Sequence, residues 1–176
     1  MEINFKFKKG RECMHLDEIM YLLSQTHWAN KRHKETVEKS IEGSLCFGVF
    51  DENDVQVGFG RAVTDYATMF YISDVVIDKD HQGLGLGSKL VSFIKSAPEL
   101  EGLWGFLGTT AAEGFYSKQG FTRSTGFFMT LPKTNQGDIF SVRQSVSKEN
   151  AEEADTVLDD DVIDKIAGGA VFDLPK

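Results

Sequence analysis

Apolar and polar positions alternate along residues 2–8, with Ile3, Phe5 and Phe7 on one face, and this two-residue period predicts a first β-strand. The period then lengthens. Leu16, Ile19, Met20 and Leu23 recur at helical spacing over residues 15–25, and a second helical stretch follows residues 26–32 and runs to about Ile41. Residues 44–51 and 56–64 read as two strands joined by the polar run Asp51-Glu52-Asn53-Asp54, with Gly58 and Gly60 predicting a bulge in the second. A turn at residues 65–68 leads through Met69 into a β-branched run, Tyr71, Ile72, Val75, Val76 and Ile77, the pattern of a buried central strand. Leu86, Leu90, Val91 and Ile94 then mark an amphipathic helix, residues 103–107 another strand, and residues 126–131 a late strand pair. The order β, α, α, β, β, β, α, β, α, then strands, predicts a mixed α/β fold.

Between the central strand and its helix lies Gln82-Gly83-Leu84-Gly85-Leu86-Gly87. Glycines at alternate positions let the backbone approach a ligand without Cβ interference and aim successive amides at one point, and a helix opens there with its positive end. The pattern predicts an anion site for a phosphate-bearing ligand. It is not a P-loop, because Ser88-Lys89 follows Gly87 in the wrong order, and G-x-G-x-G after a Gln is not the dinucleotide fingerprint.

The stretch resembles the acyl-CoA site of the GNAT superfamily of N-acetyltransferases, whose Q/R-x-x-G-x-G/A pattern is matched by Gln82, Gly85 and Gly87. A second segment resembles the family's later motif: strand 103–107, then a short helix carrying Phe115-Tyr116 and closing on Gly120-Phe121. The resemblance covers about residues 2–131. It implies the GNAT acyl-CoA N-acyltransferase fold, a central, mostly antiparallel twisted sheet splayed at its two central strands and flanked by helices. It also implies that Val75, Val76 and Ile77 line the pantetheine arm of acetyl-CoA, and that Gln82, Gly83, Leu84, Gly85, Leu86, Gly87 and Ser88 hold its pyrophosphate.

Acyl transfer to an amine requires loss of an amine proton, stabilisation of a tetrahedral intermediate and an acid for the departing thiolate. Tyr116 resembles the family's acid, and a phenol stays protonated at neutral pH. The backbone N–H of Val76 resembles the family's donor to the thioester carbonyl. The base is open between Asp74, a carboxylate among apolar strand neighbours, and Glu113, one helical turn before Tyr116. Asp74 would serve as base or as partner of the substrate ammonium, against a structural hydrogen-bonding role. Ala111 and Glu113 stand where related sequences often carry residues such as Asp and His, so the acceptor is not specified. Trp28 and Arg32 lie in the segment that arches over the acceptor pocket in this family, which makes them substrate-wall candidates. The alternative for them is a core anchor and a solvated helix charge. Nothing singles out His27, His33 or His81.

The chain has 176 residues, 41% of them apolar, enough for one domain with a real core. The net charge of −8 argues against general nucleic-acid binding, but residues 137–176 hold ten acids against four bases, so the remainder is only mildly acidic. No signal-like or membrane-spanning run is present, which predicts a cytoplasmic protein without membrane contact. Cys13 and Cys46 are isolated, and neither a metal site nor a disulfide is expected.

These features divide the chain into a catalytic domain, residues 1–133, and an acidic C-terminal extension, residues 134–176, with an amphipathic helix near residues 155–167. Leu158, Ile163, Ile166 and Gly168-Gly169 weakly resemble a double-glycine leader of ribosomally made peptides. The expected function is transfer of an acetyl group from acetyl-CoA to a primary amine, on a small molecule or peptide, by direct attack in a ternary complex. No metal is required, and a homodimer is allowed. The alternative is a catalytically degenerate acyl-CoA-binding or interaction domain, or an acyltransferase tied to a peptide pathway through its tail.

Overall fold

The computed structural model describes residues 4–124, all within one compact unit. The late strand pair, the C-terminal extension, its helix and Gly168-Gly169 lie outside the described residues.

Among the described residues five strands form one sheet in the order β1-β2-β3-β4-β5: β1 Lys6–Lys9, β2 Leu45–Phe50, β3 Gln56–Thr64, β4 Met69–Ile77 and β5 Trp104–Phe106. The first three junctions are antiparallel, as short connections permit, and β4 and β5 run parallel. The crossover between them is α3, Leu86–Lys95. Helices α1, Leu16–Ser24, and α2, Lys34–Glu42, precede β2, and α4, Glu113–Lys118, follows β5.

The two faces of the sheet carry separate cores. On one, α3 buries Leu86, Leu90 and Ile94 against Phe47, Val49, Ala62, Phe70 and Ile72; on the other, Ile19, Leu22 and Leu23 of α1 and Val37 and Ile41 of α2 meet Cys46, Phe59 and Val76. Each fully buried aliphatic side chain contributes roughly 1.5–3 kcal/mol, so α3 is held by its apolar stripe more than by helix propensity. Leu22 takes the buried place expected of Leu16 and Met20, which sit half-buried at the rim. Strand β1 begins at Lys6, later than predicted, but Phe5 and Phe7 do share the α3 side.

Two departures from regularity shape the site. Phe59 stands opposite Val76 but Arg61 opposite Ser73, so Gly60 alone faces both Asp74 and Val75. The extra residue of this bulge therefore belongs to β4, where Asp74 adopts φ 55°, whereas the glycines had pointed to β3. Gly60 packs closely there: a Cβ would lie 3.1 Å from Ile94 Cδ1, so the Ile94 side chain would have to shift by a few tenths of an ångström to admit one. The second departure is the splay: β4 pairs with β5 only from Met69 to Tyr71, and among the described residues Ile72 to Ile77 have no strand on that side.

Candidate active site

The ladder determines which backbone groups of β4 face the splay. Asp78 N–H donates to the Val57 carbonyl at 2.8 Å, while Gly58 lies opposite Ile77 and Phe59 opposite Val76. Alternation of an antiparallel pair makes Phe59 and Val76 the hydrogen-bonded couple, with Gly58 and Ile77 the non-bonded one. The Val76 N–H is thus turned toward β3, and it is Ile77 whose polar backbone groups face the open edge. This corrects the sequence reading, which gave the open donor to Val76.

At the end of β4 the chain enters a tight turn, Lys79–His81, capped by the Asp78 carboxylate accepting from Asp80 N–H at 2.9 Å. The Gln82 carboxamide reaches back to the Ile77 carbonyl at 3.1 Å. Gly83 and Gly85 then take φ 80° and 73°, left-handed values that a side chain disfavours. A Cβ on either would meet nothing within 4 Å, so glycine is needed for backbone conformation and for access, not for packing. Gly87 differs: its Cβ would lie 3.6 Å from the Phe115 ring, where α4 leans on the start of α3. The N–H groups of residues 83–88 donate to no acceptor among the described residues. Six consecutive unused donors beside a helix N-terminus form a cradle for an anion.

Next to this cradle is a cleft of about 230 Å³ lined by Gln25, Thr26, His27 and Trp28 on one side and by Val75, Val76, Ile77, Lys79 and Gln82 on the other. Trp28 is 42% exposed with its ring edge-on to His27, so it is not a core anchor. Gln25 and Lys79 carried no signal in the sequence, since an isolated polar residue at a helix end looks like any surface residue.

Asp74, the residue before the cleft-lining Val75, centres a buried ionic cluster. Asp74 Oδ2 accepts from Arg32 Nη1 and from Arg61 Nε, both at 2.7 Å, and Arg61 also donates to Ser44 Oγ at 3.0 Å and Ser73 Oγ at 3.2 Å. The Asp74 side chain is 2% exposed. Burial pushes its carboxyl up, but the Arg32 hydrogen bond and the two guanidinium charges outweigh that and hold it below the ordinary aspartate value. Arg32 is therefore no solvated helix charge; its Nε is buried without a partner among the described residues. Arg61 was missed in the sequence, although a lone arginine in an otherwise apolar strand, next to a strand bearing a lone aspartate, was the available signal.

Tyr116 lies in α4 with its ring edge-on to Phe115 and Phe121. Burial, and to a smaller extent the neighbouring Tyr71, pushes its phenol above the usual tyrosine value, so it is protonated at neutral pH. Its hydroxyl makes no hydrogen bond among the described residues, whereas the Tyr71 hydroxyl accepts from Gly108 N–H at 3.2 Å. Glu113 is exposed and bonded to Arg123 at 3.0 and 2.6 Å, which holds its carboxyl low. The structure thus brings Trp28, Val75, Val76, Ile77 and Gln82 to one cleft, pairs Arg32 and Asp74 in a buried cluster, leaves Tyr116 outside the cleft's lining and leaves Glu113 on the surface.

Among the described residues no helix is long and apolar enough to cross a membrane, and no three His, Cys, Asp or Glu side chains group as a metal site. Cys46 is buried, its thiol pushed up to about 11 by burial, and Cys13 is free as well.

Comparison with known proteins agrees with this architecture. The acetyltransferase (GNAT) domain family matches residues 42–123, which run from the end of α2 to just past α4. A solved structure from Xanthomonas campestris pv. campestris, assigned to the GNAT acetyltransferases, is 32% identical and superposes with a TM-score of 0.67 over 73% of this chain and 94% of that one. An uncharacterised ycf52-like N-acetyltransferase of Prochlorococcus marinus is 28% identical over 127 residues, 69% of each chain. The ycf52 N-acetyltransferase of Porphyra purpurea, also uncharacterised, is 30% identical over 90 residues, about half of each. With the splayed β4–β5 junction and the glycine turn in the matched region, the chain belongs to the GNAT family of acetyltransferases and is an acyltransferase.

Proposed function

We propose that this acyltransferase moves an acetyl group from acetyl-CoA to a primary amine by direct attack in a ternary complex. The observation that carries the reading is the run of six amides at residues 83–88 that are unused among the described residues, at the end of a strand whose neighbouring edge no described strand covers. The cradle suits the CoA pyrophosphate, and the open edge at Ile77 suits an extended amide-bearing chain such as pantetheine, which would add to β4 as a short strand does. The thioester then comes to the cleft beneath Trp28, where the amine enters.

The amine lone pair attacks the thioester carbonyl carbon, a C–N bond forms, and the C–S bond breaks as the intermediate collapses. Tyr116, kept protonated by its surroundings, gives its proton to the departing thiolate, and the proton shed by the attacking nitrogen on collapse passes through water to restore the phenol. Asp74 serves poorly as a base, because two guanidiniums hold it ionised with a low proton affinity. Its role in this proposal is to orient Arg32 and Arg61. The cluster carries two positive charges against one negative, and this excess favours the neutral amine over the ammonium beside it, so the amine loses its proton to water. Glu113 has no part in the step. Trp28 supplies the apolar wall of the acceptor site.

The test is acetyl-CoA-dependent thiol release by the purified protein against polyamines, arylalkylamines, amino sugars, amino acids and lysine-bearing peptides. Release with one class, and an acetylated product by mass spectrometry, is the expected result. Acetyl-CoA binding with no release on any amine would contradict the reading and favour an acyl-CoA-binding domain.

A further inference from the structure

The cradle and the acceptor wall belong to different parts of the chain, yet one side chain joins them. Gln25, which ends α1, uses both ends of its carboxamide on the turn that precedes the cradle. Its Nε2 donates to Asp78 Oδ2 at 2.8 Å, and its Oε1 accepts from Lys79 N–H at 3.0 Å. The other oxygen of Asp78 takes Asp80 N–H at 2.9 Å and stands 3.2 Å from His81 Nδ1. The last ladder bond of β4 is made by Asp78 N–H. Besides the turn's own backbone bonds, His81 N–H to the Asp78 carbonyl and Gln82 N–H to the Lys79 carbonyl, two groups from elsewhere in the fold hold it among the described residues: the Val57 carbonyl, which accepts from Asp78 N–H, and the Gln25 side chain. Immediately after Gln25 come Thr26, His27 and Trp28, the wall of the cleft.

We propose that Gln25 is a positioning residue that locks the phosphate-binding turn to the acceptor wall, so that the pyrophosphate site is preformed only while this latch is closed. The inference rests on the acetyl-CoA reading of the cradle. A carboxamide is suited to the task because one group must donate to a carboxylate and accept from a backbone N–H at once. Glutamate would set two carboxylates against each other, and a shorter or apolar side chain would make neither bond. The far end of the cradle is fixed by α3, where the Gly85 carbonyl accepts from Lys89 N–H and Ser88 Oγ from Gln119, but Gly83 and Leu84 have no such bond among the described residues, so loosening residues 78–82 loosens the near end of the cradle. An ordered cradle spares the ligand the entropy of arranging it.

The experiment uses Gln25→Met, which keeps the volume and removes both polar ends, and Asp78→Ser, which keeps an oxygen for the Asp80 N–H but cannot reach Gln25. Two quantities are measured on wild type, each single variant and the double variant: amide exchange of residues 79–82 and the acetyl-CoA dissociation constant by calorimetry. Gln25→Met should leave exchange in β2 and β3 unchanged, speed exchange at residues 79–82 and weaken acetyl-CoA binding about tenfold. In the Asp78→Ser background it should weaken binding by clearly less, because the contact it removes is already half lost. Unchanged affinity in Gln25→Met, or the same tenfold loss in both backgrounds, would overturn the latch. If wild type itself fails to bind acetyl-CoA, the donor reading falls; unaltered exchange at residues 79–82 would then overturn the latch independently. Should Asp78→Ser not fold, the exchange and affinity of Gln25→Met alone decide the matter.

Discussion

Two polar regions flank the cleft, and they are built on opposite plans. In the turn of residues 83–88, backbone donors stand without acceptors among the described residues, and glycines leave space in front of them. In the Arg32–Asp74–Arg61 cluster, a carboxylate is saturated at one oxygen by two guanidiniums, and Arg61 places its remaining donors on Ser44 and Ser73. Both are concentrations of charge or dipole near one cleft, but the first has a run of accessible donors, whereas the second keeps its charges paired and leaves the buried Arg32 Nε as its one orphaned donor among the described residues. A network whose charges are paired does structural work, since burying them is tolerable only in pairs, whereas consecutive unsatisfied donors at an accessible turn suit a ligand.

The largest effect that would sharpen this contrast is on stability. Arg61→Met leaves Asp74 with one partner and removes three hydrogen bonds from the core of the bulge, and breaking a buried pair in this way costs about 3–5 kcal/mol. Urea unfolding should show that loss; a change below about 1 kcal/mol would mean the cluster is not what holds Asp74 at φ 55°. Next comes Gly85→Val, which forces a β-branched residue into the left-handed region and puts a side chain in front of the cradle. It should weaken acetyl-CoA about a hundredfold by calorimetry, while stability falls only by the roughly 1–2 kcal/mol of backbone strain. Tyr116→Phe should affect neither property. It should lower kcat by tens-fold or more with the acetyl-CoA KM nearly unchanged, and an unaltered kcat would remove Tyr116 as the acid.

The smallest effect is a pH dependence. The Asp74 carboxyl lies below its ordinary value in the folded chain and returns to about 3.9 when unfolded. Its contribution to stability is therefore complete above the unfolded value and is lost as pH falls through the lower, folded one. The stability difference between wild type and Asp74→Asn should be constant from pH 7 to about 5 and shrink below about 4. A difference that grows on acidification would mean the carboxyl is raised in the fold, as a base would need.

The sequence showed the turn clearly and the cluster hardly at all, for a physical reason. Gln82, Gly85 and Gly87 are neighbours in the chain, and their spacing alone states the backbone conformation they permit. The bounds of β3 were legible for the same reason, since alternation is local. Asp74, in contrast, takes its partners from Arg61, across a strand register, and from Arg32, in a loop 42 positions away. The register is shifted by a bulge whose extra residue sits on β4, although the glycines that betray it sit on β3. That same shift decides the parity of the ladder and hence whether Val76 or Ile77 offers its N–H to the open edge. Alternation read from the sequence cannot carry through such a shift. Gln25 was invisible because its two bonds exist only once α1 has packed beside the end of β4.

The central claim is that the glycine turn, and not the ionic cluster, is the ligand site of the fold. Acetyl-CoA calorimetry on wild type, Gly85→Val and Asp74→Asn, side by side under conditions where all three are folded, tests it most directly. Affinity should fall about a hundredfold in Gly85→Val and stay within about threefold of wild type in Asp74→Asn. Retained affinity in Gly85→Val, with the loss falling instead on Asp74→Asn, would contradict it.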